Sequence, residues 1–175
     1  MATPKSERSD VGTHPIDLVL VAYDGSDNAK LAISYVARFL RSSRVAVVSV
    51  WAPLAIQTAQ LSTMWGGMTT AGWATDESAA DNYAVTEAKR VAEEGAEIAR
   101  AAGLDAAPSV HAAAGAVWTG IVDAADELQA DIIVTGTRGL HGLRSLLHAS
   151  VSSRVLHNTS RPVLIVPSSA ELCTQ

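Results

Sequence analysis

IIVTGTRGLHGLRSLLHASVSSRV, Ile132 to Val155, passes from an apolar strand through a glycine-rich connection to a helix start. Its opening residues Ile132–Thr135 are apolar or β-branched without a break, as in a strand covered on both faces. The same pattern occurs in IDLVLVAY, Ile16–Tyr23, which runs apolar until DGSD stops it, and in VAVVSVW, Val45–Trp51. A weaker strand is read in PSVHAAAG, from Pro108, and a short one in PVLIV, Pro162–Val166.

Helical spacing fills the intervals. In NAKLAISYVARFLR the residues Ala29, Ala32, Ile33, Val36, Ala37 and Leu40 form one apolar stripe, and Ser26 or Asp27 can cap its start. A long helix is predicted from about Glu77 to Ala102. Its inner face is Ala84, Ala88, Val91, Gly95, Ile98 and Ala102, and Gly103 ends it in the left-handed conformation. VWTGIVDAADELQ, with Trp118, Ile121, Val122, Ala125 and Leu128 inward, and Ser150–Asn158 complete the set. Buried strands alternating with helices specify a parallel sheet with helices on both faces. The fold class is therefore α/β, a single-domain open five-stranded parallel sheet.

Composition limits what such a chain does. Its 175 residues suit one domain; 48% are hydrophobic and 18% charged, as in a globular protein. A formal net charge of -5, with no Lys/Arg run, argues against a nucleic-acid partner. Cys173 is the only cysteine, so no intramolecular disulfide forms, in keeping with a reducing compartment. Residues 1–15 read as a polar, flexible leader without the apolar region of a secretory signal. No apolar run approaches a membrane span, and the cytoplasm is the expected location. Residues 53–76 contain Gly66-Gly67, Trp65 and Trp73 without a clean period; a long mobile loop or an interface is expected there. Residues 168–175 are read as a tail.

In open α/β sheets, ligands bind beyond the C-terminal ends of strands, where strand order reverses. Asp24-Gly25-Ser26 ends the first strand and Gly136 the fourth, so both face one crevice if those strands are neighbours. The usual Gly-x-Gly-x-x-Gly after strand one is missing; Gly136, Gly139 and Gly142 follow strand four instead. Glycines there let backbone amides approach an anion. The following helix opens at Ala149-Ser150, and its free N–H groups suit a phosphate, with Arg138 and Arg144 nearby in sequence. A glycine-rich connection with a serine cap and solvated arginines accounts for the same residues without a ligand. Ser150, Ser152 and Ser153 show no nucleophile elbow or paired base, and His141 and His148 lack partners at zinc-ligand spacing. His111, on a strand, reads as packed or hydrogen-bonded.

This segment resembles the ATP-binding signature of the universal stress protein family: Gly-x-x-Gly, nine residues, then Gly-Ser or Gly-Thr. Here Gly136 and Gly139 are followed by the nine residues Leu140–His148 and then Ala149-Ser150. VLVAYDGSDNAKLAISYVARFL, IVDAADELQADIIVTGTRG and VLHNTSRPVLIVP resemble further parts of the family, so the likeness runs from Ile16 to Pro167. It implies a Rossmann-like sheet of the adenine nucleotide alpha hydrolase type, in the order 3-2-1-4-5. It also implies an adenine-nucleotide ligand (ATP, AMP or another), carried with or without magnesium. The implied contacts are Asp24 and the backbone of Ala22 and Tyr23 at ribose and adenine. Val50 and Trp51 line the adenine pocket, and Thr135 and Gly136 close over it. Gly139, Ala149, Ser150 and Val151 hold the phosphates, the last three mainly through backbone N–H, and Arg138 adds positive charge beside them. Alanine at 149 is a departure from the signature.

The resemblance further implies a homodimer through the last strand and a stress-response binding module. At most slow ATP hydrolysis is expected, since no general base or arginine finger is evident. The alternative is a member that binds no nucleotide and works as a dimeric protein-interaction module; Ala149 favours it, and Asp24, Gly136, Gly139 and Ser150 oppose it. An adenylyl-transferring enzyme would want paired histidines after strand one, which DGSDNAK does not supply.

Overall fold

The computed structural model describes residues 16–40, 44–53, 77–137 and 150–167. Five strands, β1 (Leu18–Ala22), β2 (Arg44–Trp51), β3 (Asp105–Ala112), β4 (Ile132–Gly136) and β5 (Val163–Val166), form one sheet in the order β3-β2-β1-β4-β5. All four pairings are parallel. Four helices connect them: α1 (Asp27–Phe39), α2 (Glu77–Ala101), α3 (Val117–Glu127) and α4 (Val151–Asn158).

The unbroken apolar run of β1 is explained by two cores, one on each face. Val19, Val21 and Tyr23 join a cluster with α1 and α2, whereas Leu20, with Leu18 and Ala22 beside it, joins the cluster under α3 and α4. Side chains alternate along a strand, so both phases must be apolar when both faces are covered. Val19, Leu20 and Val21 are fully buried.

Two readings of the sequence are corrected. Strand β3 begins at Asp105, ahead of Pro108, and ends at Ala112. Its start, Asp-Ala-Ala-Pro, lacks β-branched residues, and an edge strand tolerates this and the proline's missing N–H. On α2 the expected Ala88 and Gly95 are buried and Val91, Ile98 and Ala102 pack half-buried beside them, but Ala92, Ala96 and Ala99 complete the buried face, so the stripe is shifted by part of a turn. Small alanines let this helix settle close to the sheet. Gly103 adopts φ +85 just past α2, as the left-handed helix end requires.

At the opposite end of the sheet from the crevice, Asp131 holds the start of β1. Its Oδ2 accepts from the amides of Asp17 and Leu18, each at 2.9 Å. Those backbone bonds pull its carboxyl below the usual aspartate range. A lowered folded-state pKa contributes stability above the unfolded value of about 4, and that stability is lost as pH falls through the folded value. Asp131→Ala is expected to cost about 1 kcal/mol at neutral pH, at the low end for a charged acceptor because the group faces solvent. In urea unfolding the gap between wild type and variant should shrink as the pH is lowered below about 4. A gap independent of pH would contradict this assignment.

Candidate functional site

The strand order reverses between β1 and β4, since β2 and β3 lie on one side and β5 on the other. Val21 sits opposite Val134 in the β1–β4 register, so the ends of these two strands open side by side. This is the crevice that the sequence pointed to.

Asp24 follows β1 and is exposed. Its Oδ1 accepts from the Ser26 amide at 3.1 Å, closing an Asx turn. Gly25, at φ +80, allows the chain to reverse within that turn. Ser26, not Asp24 or Asp27, caps α1, its hydroxyl accepting from the Ala29 amide. The carboxylate of Asp24 is thus held at the mouth of the crevice by a short, locally fixed loop.

Tyr23 points the other way. Its ring is buried in the α1/α2 core and its hydroxyl donates to Glu94 Oε1 at 3.1 Å. Burial, reinforced by that hydrogen bond, raises its phenol above the ordinary range. Glu94 also pairs with Lys30 Nζ at 3.2 Å and is held below the usual range, chiefly by Lys30. Only the backbone of Tyr23 is left for the crevice side, and its amide is already spent on Val48 O at 2.8 Å.

On the α3/α4 face, Ala22, Val50 and Val151 are half-buried members of one apolar cluster. The helix α3 comes close enough here that a Cβ on Gly120 would lie 2.6 Å from Val50 Cγ1. Trp51 is half-buried at the end of β2, its carbonyl accepting from the Ala113 amide at 2.8 Å.

The far wall comes from β4 and α4. Thr135 is buried, with Oγ1 3.3 Å from Ser152 Oγ, and Ser152 Oγ donates to Gly136 O at 2.9 Å. Ser152 therefore ties the first turn of α4 to the end of β4, a link that sequence reading missed. Ser150 caps α4, accepting from the Ser153 amide at 3.2 Å. The geometry of a helix start leaves the amides of Val151 and Ser152 without intrahelical acceptors. Gly136 lies against α1: a Cβ there would stand 2.6 Å from Asn28 O and 2.8 Å from Asn28 C. Asn28 Nδ2 in turn donates to Thr137 O. The structure therefore brings together Ala22, the Tyr23 backbone, Asp24, Val50, Trp51, Thr135, Gly136, Ser150 and Val151 at the C-terminal end of the sheet. Arg138, Gly139 and Ala149 lie outside the described residues, as do residues 1–15, 54–76 and 168–175. Among the described residues no helix is long and apolar enough to cross a membrane.

Known proteins share this architecture. A universal stress protein of Methanocaldococcus jannaschii is 48% identical over 46 residues, 26% of this chain and 27% of that one. The matched stretch is thus about a quarter of that relative's length. A universal stress protein solved in complex with cAMP superposes with a TM-score of 0.61 at 22% identity, covering 87% of this chain and 98% of the other. One from Archaeoglobus fulgidus, solved in complex with dAMP, gives a TM-score of 0.57 at 25% identity, covering 86% and 97%. The family model described as "Universal stress protein family" matches residues 15–167, nearly the whole chain, and the protein belongs to that family.

Proposed function

We propose that the protein binds an adenine nucleotide, ATP in the first instance, in the crevice between β1 and β4, and acts as a cytoplasmic regulatory module rather than a metabolic enzyme. The observation that supports this reading is that the exposed Asp24 follows β1 where strand order reverses, and the capped start of α4 follows the neighbouring β4. The residues present fit such a ligand. The Asp24 carboxylate accepts from ribose hydroxyls, and the half-buried Ala22, Val50 and Val151 offer an apolar surface for a base. The amides opening α4 suit a phosphate. The complexes of two relatives with dAMP and cAMP support the ligand class. Arg138, Gly139 and Ala149 enter this proposal from the sequence alone. Nucleotide content read by chromatography after heat denaturation of the purified protein tests it. Adenine nucleotide should be released, or taken up when the purified protein is incubated with ATP. Failure of both would favour the alternative of an interaction module without nucleotide.

We further propose a homodimer through β5. This strand is the outer edge of the sheet, and Val163, Leu164 and Ile165 are half-buried there. An apolar edge is ordinarily covered or paired. Light scattering should give a dimer mass for wild type and a monomer mass for folded Val163→Lys/Ile165→Lys. A monomeric wild type at working concentration would contradict the proposal.

A further inference from the structure

The opposite edge of the sheet holds a side-chain chain that the crevice does not use. Ser109 and His111 stand two residues apart on β3, in register with Val48 and Val50, and so on the face covered by α3. Ser109 Oγ lies 2.9 Å from His111 Nε2. His111 Nδ1 lies 3.2 Å from Glu127 Oε2, in the last turn of α3. The imidazole is mostly shielded, 14% exposed, whereas the Glu127 side chain is 69% exposed.

The Glu127 contact is an ion-pair approach, and a carboxylate beside Nδ1 favours the hydrogen of the neutral ring on that nitrogen; Nε2 is then the acceptor, and the Ser109 hydroxyl donates to it. Serine, histidine and carboxylate are thereby joined in the order that activates a nucleophilic serine. The backbone adds a donor. Ala113 donates its amide to Trp51 O, and amides of alternate residues in a parallel strand face the same neighbour. The amides of Ser109 and His111 therefore face β2, and that of Val110 faces the open edge of the sheet.

We propose that Ser109 is the nucleophile of an acyl-transfer site for small activated carboxylic esters. Ser109 Oγ forms a bond to the ester carbonyl carbon while its proton passes to His111 Nε2. The carbon–oxygen bond to the alcohol then breaks, and the alcohol leaves with that proton. Water attacks the acyl-serine, giving its proton to His111, which returns it to Ser109 as the carboxylic acid is released. In this proposal Val110 N–H is the backbone donor for the carbonyl oxygen as it gains charge. Glu127 is a positioning residue: beside Nδ1, it orients the ring and keeps the hydrogen of the neutral imidazole on that nitrogen.

The test uses the full chain, a fluorophosphonate probe and p-nitrophenyl acetate. The probe should add one adduct per chain, mapped to Ser109 by peptide mass, and ester hydrolysis should exceed that of heat-denatured protein. Ser109→Ala should abolish the adduct and return hydrolysis to background. His111→Gln should lower kcat/KM roughly 100-fold. Glu127→Gln, at an exposed position, should lower kcat about tenfold and leave KM unchanged, the split expected of a group that only orients the imidazole. An adduct elsewhere, full activity in Ser109→Ala, or a Glu127→Gln kcat equal to wild type would overturn the proposal and leave these contacts as a clamp between α3 and β3. Because no nucleotide enters the assay, the result is independent of the crevice.

Discussion

Gly136→Val is expected to destabilise the protein by about 3 kcal/mol or more, a large fraction of a domain's stability. The cause is the backbone of Asn28. Even a single Cβ would approach Asn28 O to 2.6 Å and Asn28 C to 2.8 Å. A side-chain neighbour can rotate aside, but Asn28 belongs to the first turn of α1, whose cap and helical bonds hold it. The end of β4 would have to part from α1, breaking the bond from Asn28 Nδ2 to Thr137 O. The bond from Ser152 to Gly136 O would be strained as well. Urea unfolding measures this as a lowered midpoint with an unchanged slope. Gly136→Ala should show most of the same loss, because the first added carbon already clashes. A wild-type midpoint for both variants would show that this approach is looser than described.

Asp24→Ala should act in the opposite manner, on binding and not on stability. The carboxylate is exposed and makes a turn bond to the Ser26 amide, so the cost to folding should be within about 1 kcal/mol. Hydrogen bonds from a ligand to a charged acceptor are worth about 1.5–3 kcal/mol, so affinity for adenine nucleotide should fall roughly 10- to 150-fold. Asp24→Asn keeps an oxygen for the turn and loses the charge. It should retain the fold and fall between wild type and alanine in affinity. If Asp24→Ala binds as tightly as wild type, the ribose contact lies elsewhere.

These two residues differ in how far the sequence disclosed them. Asp24 was legible because an unbroken apolar run followed by Asp-Gly-Ser marks the end of a buried parallel strand, where such folds bind ligands. Gly136 was legible as a glycine at the end of a strand, but not for its reason: the contact with Asn28 joins segments far apart in sequence. Ser152 read as one of several serines at a helix start, and only the fold shows it reaching back to Gly136. The inward face of α2 was legible apart from its centre, because alanine occurs on several sides of that helix and Ala92, Ala96 and Ala99 could not be told from the rest. His111 was read on strand β3 as packed or hydrogen-bonded, but its partners escaped, because only the fold brings Glu127, at the end of α3, beside β3. The edge position explains both the proline and the scarcity of β-branched residues.

The central claim is that the crevice between β1 and β4 takes an adenine nucleotide. Calorimetric titration of the wild-type protein with ATP, alongside adenosine, tests it most directly. Binding should be saturable at one nucleotide per chain and tighter for ATP than for adenosine, because the start of α4 meets phosphate. The absence of any binding heat for either ligand at concentrations well above those in cells, with the protein shown to be folded, would contradict it.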